Sequence, residues 1–360
     1  MTTQLDTRHT IMFVDAKESE FERLGGKCAS LARMIAAGVT VPGGFAVTTD
    51  AYACHLAAST VGAEIGKIIA TIDTKDVVDE EIKSAKARKI LVDADMPAEV
   101  EQAIRIAYTA LSPEGDLPVA VRSSATAEDM PDASFAGQQD TFLWVVGIDD
   151  VLQKTKECWA SLFNARAISY RHDHNLGHMD VLMSVGVQRM VDAVAAGVAM
   201  TLDPITGDRT RIIIDSAFGL GEPVVSGEIT PDNFVVEKIL MEIIERRIVE
   251  KDFELVADHK AKTTVERVIE PERRTLPSLT DNQIMQVATL SKRLEKQMGC
   301  PQDVEWAVVH GMPEGADVVA LQSRPETVWS QKKATKSTAN YSVGMQSLVG
   351  TLMAPIANKD

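Results

Sequence analysis

The amino-acid sequence predicts a mixed fold of helices and strands that ends in an antiparallel hairpin. Residues 303–307 and 321–325 alternate polar and apolar side chains as half-buried strands do, and a turn with Gly, Pro and Glu at residues 310–316 joins them. A charged, helix-rich region extends to about residue 111, and residues 181–238 contain several apolar strands. Strands and helices are therefore both expected in quantity.

The first elements lie around a glycine-containing turn. Residues 24–27 form this turn, a helix is predicted over residues 29–37, and Gly38 ends it. Residues 41–47 then indicate a turn that leads into a strand. The sequence further predicts that Asp50 caps the next helix, which continues into the sixties.

The later elements follow from periodicity and composition. Helices are predicted at residues 80–89, 98–108, 149–170 and 280–298. Strands are predicted at residues 118–121, 181–190, 197–202, 211–217 and 233–238. Three segments are assigned by composition, namely a loop at 125–139, strands and surface loops at 245–274, and a linker or docking tail at 331–360.

Composition limits the class of protein. The 360 residues, of which 45% are hydrophobic and 25% charged, are ordinary for a soluble protein with two lobes or domains. The formal net charge of −15 argues against general binding of nucleic acid or anionic membranes, although a few local basic groups still make a site for an anionic ligand. No window reaches the apolar length of a membrane span, and the first ten residues lack a signal-peptide pattern.

Cysteine usage indicates a reducing compartment. The four cysteines are widely scattered and contain no CxxC motif, which disfavours a disulfide framework or a zinc site. A cytoplasmic location with reduced thiols is therefore expected.

The C-terminal hairpin carries the most informative chemistry. If its strands pair without a bulge, Glu305 lies opposite Gln322 and Asp303 lies opposite Arg324, with both pairs on one face. A carboxylate beside an amide oxygen suits Mg²⁺, which prefers oxygen ligands and keeps several waters. The planar fork of an arginine suits a phosphoryl oxygen. The hairpin therefore predicts phosphate chemistry.

Two basic motifs have both a functional and a plain interpretation. Gly25-Gly26-Lys27 at a helix start allows close backbone approach and adds a charge, but it lacks the rest of a P-loop, and taken alone such a motif is more often a turn with a helix cap. Arg122 and the two serines after it stand where a strand meets a loop, a usual place for ligand groups. A salt-bridged arginine with a turn-forming serine pair is the plain alternative.

Two further segments also have both a functional and a plain interpretation. Residues 188–191 end an apolar strand and could supply apolar walls and backbone hydrogen bonds for an adenine ring, although such a segment is more often a plain strand end. Residues 171–178 contain histidines at i, i+2 and i+6, which do not share one helical face and lack other metal ligands. A solvated helix-to-strand connection is the better interpretation of that run.

The order of the motifs resembles the ATP-binding N-terminal region of phosphoenolpyruvate synthase and pyruvate phosphate dikinase. The resemblance covers about residues 11–330 and rests on nine segments: Leu-Gly-Gly-Lys-Cys-Ala-Ser-Leu (24–31), Val-Pro-Gly-Gly-Phe (41–45), Val-Ala-Val-Arg-Ser-Ser-Ala-Thr-Ala-Glu-Asp (119–129), Ser-Phe-Ala-Gly-Gln (134–138), Gly-Val-Ala-Met-Thr-Leu-Asp-Pro (197–204), Gly-Leu-Gly-Glu (219–222), Thr-Pro-Asp (230–232), Val-Glu-Trp (304–306) and Leu-Gln-Ser-Arg-Pro (321–325).

The resemblance implies an α+β fold of the ATP-grasp type, with mostly antiparallel sheets, flanking helices and ATP clamped between two lobes. The N-terminal lobe would span residues 1–187, and the C-terminal lobe, with the hairpin, residues 188–330. A loop at 123–137 would close over the phosphates. The implied cofactors are ATP and Mg²⁺.

The resemblance also implies roles for individual residues. Lys27, Arg122 and Arg324 would be catalytic through the phosphates, and Glu305 and Gln322 would ligate Mg²⁺. The full set of residues implied to bind the nucleotide and its metal is Lys27, Arg122, Ser123, Thr126, Gln188, Met190, Val191, Glu305, Gln322 and Arg324. These roles agree with the general logic of phosphoryl transfer, in which positioning and charge neutralisation dominate.

Two departures from the family shape the expected function. The sequence contains no Gly-Gly-x-Thr-Cys-His segment of a phosphocarrier domain and no pyruvate-binding barrel. It therefore resembles an ATP-using half-enzyme that forms AMP and phosphate and passes the β-phosphoryl group to a histidine on a partner subunit.

Among arrangements split in this way, the chain most resembles the ATP-handling subunit of phenylphosphate synthase, which acts in anaerobic phenol degradation. The alternatives are the ATP-grasp component of a pyruvate- or rifampicin-type phosphotransferase and a nucleotide-sensing regulatory subunit without catalysis.

Overall fold

The computed structural model describes residues 8–58, 60–126, 129–130, 133–134, 140–174, 176–313, 315–327 and 329. Most of the loop predicted at 125–139 and all of the tail predicted at 331–360 lie outside the described residues. Residues 1–326 cluster as one unit, and the site residues that the sequence predicts all belong to it.

The helices and strands have the following bounds. The strands are β1 (Thr10–Met12), β2 (Gly44–Val47), β3 (Val119–Ala125), β4 (Asp129–Met130), β5 (Ala133–Ser134), β6 (Thr141–Val145), β7 (Met183–Arg189), β8 (Ala193–Met200), β9 (Arg211–Phe218), β10 (Asp232–Glu237), β11 (Glu242–Arg247), β12 (Phe253–Asp258), β13 (Thr263–Val268), β14 (Gln302–Val309) and β15 (Val318–Pro325). The helices are α1 (Phe21–Ala36), α2 (Thr49–Ala57), α3 (Val61–Ile69), α4 (Val77–Asp93), α5 (Ala98–Leu111), α6 (Ile148–Ala160), α7 (Ala165–Asp173), α8 (Glu222–Ser226) and α9 (Asp281–Met298).

The strands form two main antiparallel sheets. Within the described residues, the first sheet has the order β1-β2-β7-β3-β6, and the second has the order β11-β10-β9-β8-β14-β15. Neighbouring strands run antiparallel in both sheets. Strands β12 and β13 pair as a separate hairpin, as do β4 and β5. This mixture of helices and antiparallel sheets confirms the α+β class.

Two hydrophobic cores hold the sheets and helices together. In the first, Phe45 and Val121 of the first sheet pack with Ile104 and Trp159 of the surrounding helices. The second core lies on the second sheet and includes α9, α1 and residues next to β1. Helix α1 therefore contributes to the packing of both sheets, because its apolar side chains reach the second core while its backbone lies beside β3 and β7.

The structure corrects two predicted helices. Thr48, rather than Asp50, caps α2, since its extended backbone lets the hydroxyl accept a hydrogen bond from the N–H of Ala51. Asp50 instead accepts from Arg23 at 2.7 Å. The helix predicted into the sixties is two helices, α2 and α3.

The helix predicted over 149–170 is likewise interrupted. Helix α6 ends at Ala160, a 3-10 turn covers Ser161–Phe163, and α7 begins after Asn164. The Asn164 side chain accepts from the N–H of Ala167 and so starts a new helix. Among the helices that the structure describes, none is both long and apolar enough to cross a membrane.

Candidate active site

The β14–β15 hairpin has the pairing that the sequence predicts for its polar residues. Asp303 lies opposite Arg324, and Glu305 lies opposite Gln322. The hairpin does contain a bulge, because the register shifts between Glu305 and Trp306. The bulge follows the polar pairs and leaves them aligned. Trp306 is buried in the second core, on the strand that exposes Glu305 on its other face.

Arg122 of the first sheet reaches this hairpin. Its Nη1 atom lies 3.5 Å from Glu305 Oε2 and 3.4 Å from Gln322 Oε1. The Arg122 side chain is 16% exposed and that of Glu305 is 28% exposed. The Arg122 Nε atom is buried and has no hydrogen-bond partner among the described residues. A carboxylate, an amide and a guanidinium therefore meet where the two sheets face each other, and donor capacity remains unused.

Asp303 and Arg324 form a second polar pair on the hairpin. Arg324 Nε lies 3.3 Å from Asp303 Oδ2, and the arginine side chain is 54% exposed. Burial raises the pKa of the Asp303 carboxyl, the charge of Arg324 opposes the rise, and Glu326 reinforces it. Arg324 is two residues after Gln322 on β15, so its exposed guanidinium group lies near Gln322, at the same end of that strand.

The Gly-Gly-Lys turn packs against the strand that carries Arg122. Gly25 has a φ of 66° and interrupts α1, and a Cβ atom there would lie 2.1 Å from the Ser124 carbonyl oxygen. The Ser124 hydroxyl donates to the Leu24 carbonyl at 3.0 Å and accepts from the Cys28 N–H at 3.2 Å. Lys27 Nζ donates to the Ser123 carbonyl at 3.1 Å. The structure thus brings Lys27 to the residue next to Arg122.

Thr126 lies at the rim of the same region. Its N–H and hydroxyl both donate to the Leu182 carbonyl, at 3.1 and 3.2 Å. Together with Gly25 and Gly26, it lines an open pocket of about 560 Å³. Both glycines of the turn therefore face a space that is large enough for part of a ligand.

The predicted adenine segment lies between the sheets. The buried Gln188 side chain donates to the carbonyls of Pro42 and Leu321, both at 3.4 Å. Met190 and Val191 follow it and pack against an apolar cluster on the second sheet. This cluster consists of Ala193, Ala196, Leu220, Ala307, Val319, Leu255, Val309 and Leu321. The apolar cluster thus extends to Leu321, the residue next to Gln322 in the chain, and so it adjoins the polar residues of the site.

The side-chain oxygen atoms of Glu305 and Gln322 suit a magnesium ion that has other ligands as well. The described residues contain no group of three or more His, Cys, Asp or Glu side chains placed to hold a metal. Glu305 and Gln322 offer one carboxylate and one amide oxygen to the same point. Mg²⁺ commonly takes one or two protein ligands and completes its octahedron with waters and substrate phosphates. These residues therefore suit Mg²⁺ bound to a nucleotide.

Sequence reasoning missed two serines that connect this region. In the sequence Ser124 stands out only as one of the two serines after Arg122, yet in the structure it joins β3 to the glycine turn. Ser30 was part of a motif without a role, and its hydroxyl donates to the Ser323 carbonyl at 2.6 Å. Their positions inside the 119–129 and 24–31 motifs were the available signal, but the partners lie 100 and 293 residues away in the chain.

Known proteins resemble this chain along most of its length. Residues 21–345 match the family model described as pyruvate phosphate dikinase, AMP/ATP-binding domain. The chain is 40% identical to a probable phosphoenolpyruvate synthase of Staphylothermus marinus over 91% of its own length and 42% of the relative's. It is 39% identical to the corresponding protein of Methanothermobacter thermautotrophicus over 92% of its own length and 47% of the relative's.

A bacterial relative gives the same result. The chain is 42% identical to the phosphoenolpyruvate synthase of Pseudomonas aeruginosa over 88% of its own length and 42% of the relative's. The chain thus spans less than half the length of each of these three relatives. The family match confirms the resemblance inferred from the order of the motifs, and the chain belongs to the family of the pyruvate phosphate dikinase AMP/ATP-binding domain.

Proposed function

We propose that this chain is the ATP-cleaving part of a dikinase-type phosphotransferase, which forms AMP and phosphate and passes the β-phosphoryl group to a histidine. The observation that supports it best is the meeting of Arg122 from the first sheet with Glu305 and Gln322 from the second. A site divided between two sheets suits a ligand held between two lobes, as in an ATP-grasp fold. The lobes would be residues 1–187 and 188–330.

Each residue has a proposed role that follows from its charge and its position. Lys27 and Arg122 would bind phosphate oxygens, and the free donor at Arg122 Nε provides capacity for such a contact. Ser123 and Thr126 would border the phosphates, and Arg324 would stabilise the group in transfer. Magnesium bound by Glu305 and Gln322 would neutralise charge on the phosphates.

The nucleotide base would occupy the apolar side of the site. Met190 and Val191 adjoin the apolar cluster of the second sheet, and Gln188 lies beside them with its side chain between the sheets. An adenine ring needs apolar walls and a few edge-on hydrogen bonds, which backbone groups near residues 188–191 can supply.

The final acceptor is proposed from the names of the relatives. Proteins named phosphoenolpyruvate synthase favour an acceptor of the pyruvate class, whereas no comparison supports the phenol acceptor expected from the sequence. The histidine that receives the phosphoryl group would belong to a partner subunit. A cytoplasmic location also remains part of the proposal, and the described cysteines form no disulfide with one another.

Identification of the nucleotide product tests the proposal. The protein is incubated with ATP, Mg²⁺ and the histidine-bearing protein that co-purifies with it, and the nucleotides are separated. AMP with phosphohistidine on the partner supports the proposal, and ADP as the only product contradicts it. If no ATP is consumed, the chain is a nucleotide sensor instead. Addition of pyruvate or of phenol then identifies the acceptor, and we expect phosphoenolpyruvate rather than phenylphosphate.

A further inference from the structure

The outer edge of β15 is covered by parts of the molecule that belong to the first sheet. β15 is the last strand of the second sheet in the part of the chain that the structure describes, so no described strand pairs with its outward N–H and C=O groups. An uncovered edge of this kind is open to pairing with other chains. Here the Ala320 N–H donates to the Thr40 carbonyl at 3.0 Å, which places the segment before β2 against β15.

Two side chains complete this contact. The hydroxyl of Ser30, on α1, donates to the Ser323 carbonyl at 2.6 Å. The amide of Gln188, on β7, donates to the Leu321 carbonyl at 3.4 Å. These two carbonyls lie on either side of Gln322, whose own side chain reaches Arg122.

The covered edge is also tied to the strand of Arg122. Helix α1 carries Ser30 and, two residues earlier, Cys28, whose N–H donates to the Ser124 hydroxyl of β3. Ser124 follows Arg122 by two residues. Helix α1 thus contacts the strand of Arg122 through Cys28 and the strand of Gln322 through Ser30. The separation of those two site residues is therefore set by α1 as well as by their own contact.

We propose that Ser30 and Gln188 are positioning residues, which hold the backbone on both sides of Gln322 and so fix its amide oxygen for the metal of bound Mg·ATP. This inference rests on the proposed function, because it assigns a purpose to the geometry of the same site. Neither side chain needs to touch the metal or the phosphates for this role.

Metal binding in the presence of nucleotide tests the inference. Mn²⁺ serves as the probe, with free Mn²⁺ measured by electron paramagnetic resonance in the presence of a non-hydrolysable ATP analogue. The variants are Ser30→Ala, Ser30→Thr and Gln188→Met. Ser291→Ala is the matched control, since it removes a buried hydroxyl that donates to a carbonyl within α9. Ala is a better helix former than Ser, so Ser30→Ala should remain folded.

We expect Ser30→Ala and Gln188→Met each to raise the dissociation constant of Mn²⁺ about fivefold. A change of this size corresponds to the free energy that one ordinary hydrogen bond contributes. Ser30→Thr keeps the donor and should stay near the wild type, as should Ser291→Ala. Binding of the analogue without metal should be unchanged in Ser30→Ala, Ser30→Thr and Ser291→Ala. Gln188 is also one of the proposed nucleotide-binding residues, so Gln188→Met is compared with the wild type by its Mn²⁺ dissociation constant at saturating analogue.

Two results would overturn the inference while leaving the proposed function in place. One is wild-type metal affinity in Ser30→Ala and Gln188→Met. The other is an equal loss of metal-free nucleotide binding in Ser30→Ala, which would indicate general disturbance of the fold. If the wild type itself bound no Mn²⁺ with the nucleotide, the proposed function would fail, and the inference with it.

Discussion

Two hairpins of this molecule, β12–β13 and β14–β15, each place a glutamate near arginine side chains. The two glutamates differ in the number and length of their ion pairs and in the exposed fraction of the side chain. Glu254 of β12 lies opposite Arg267 and contacts it at 2.8 Å, and it also contacts Arg273 at 2.9 Å. Its side chain is 3% exposed. Glu305 of β14 has a contact of 3.5 Å with Arg122 and is 28% exposed.

The difference distinguishes a structural ion pair from the proposed metal site. A buried carboxylate with short contacts to two guanidinium groups has its oxygens occupied, so it fixes the hairpin and has little capacity for a ligand. A half-buried carboxylate with one long contact keeps lone pairs available for a metal ion. We therefore expect Glu254 to matter for stability and Glu305 for metal binding, although both lie beside arginines.

The largest effect is expected for Glu305→Gln. The change keeps the shape of the side chain but removes the charge that would hold Mg²⁺, so AMP formation should fall by about 100-fold to 1,000-fold. The midpoint of thermal unfolding should stay near that of the wild type, because Glu305 lacks a short ion pair. Glu101→Gln, at an exposed helical pair, is the control for loss of one negative charge. Undiminished AMP formation in Glu305→Gln would refute the site.

The opposite pattern is expected for Glu254→Gln. Loss of the carboxylate leaves Arg267 and Arg273 without their partner, but both are partly exposed and regain water. We therefore expect a loss of about 2 kcal/mol in the free energy of unfolding, less than for a fully buried pair. Metal affinity with nucleotide should be unchanged. Denaturant unfolding measures the effect, with Asp93→Asn at an exposed pair as control, and equal losses in both variants would contradict the distinction.

A smaller effect is expected for Arg122→Gln in the absence of nucleotide. The guanidinium contacts the two oxygens that would hold the metal, so its positive charge disfavours a cation there. Its removal should raise the affinity for Mn²⁺ alone by about fivefold, given the modest size of partly exposed charge interactions. Arg246→Gln, at an exposed pair away from the hairpin, should change nothing. Weaker metal binding in Arg122→Gln would show that the arginine does not compete with the metal.

The smallest effect concerns pH. Burial raises the pKa of Asp303, against the opposing charge of Arg324, so the folded protein holds this proton more tightly than the unfolded chain. Ionisation of Asp303 therefore lowers the unfolding free energy as the pH rises from about 4, the ordinary pKa of an aspartate, through the raised pKa of the folded state. Asp303→Asn removes that contribution, and its unfolding free energy should decline less over this interval than that of the wild type. A steeper decline would contradict the assigned direction.

Local patterns predicted the hairpin well but not its partners. The period of two along residues 303–307 and 321–325 was enough to pair Glu305 with Gln322, because register follows from alternation and from the turn. The bulge was not predicted, since Leu321 of β15 has no residue opposite it in β14 and the alternation of the two segments gives no sign of this. The proximity of Arg122 came only from family resemblance, because 183 residues separate it from Glu305.

The ends of some helices also could not be predicted from local sequence. Thr48 and Asp50 are both good capping residues, and only the tertiary contact of Asp50 with Arg23 decides between them. The break at Ser161–Phe163 follows from packing of buried side chains that a periodic pattern does not resolve. The link from Ser30 to Ser323 joins distant segments, so no local pattern could indicate it.

A crystal structure with Mg²⁺ and a non-hydrolysable ATP analogue tests the proposed metal site most directly. We expect a metal ion bonded to Glu305 and Gln322 and to phosphate oxygens, with Arg122 turned from those side chains to the phosphates. A nucleotide and metal bound without contact to Glu305 and Gln322 would contradict it.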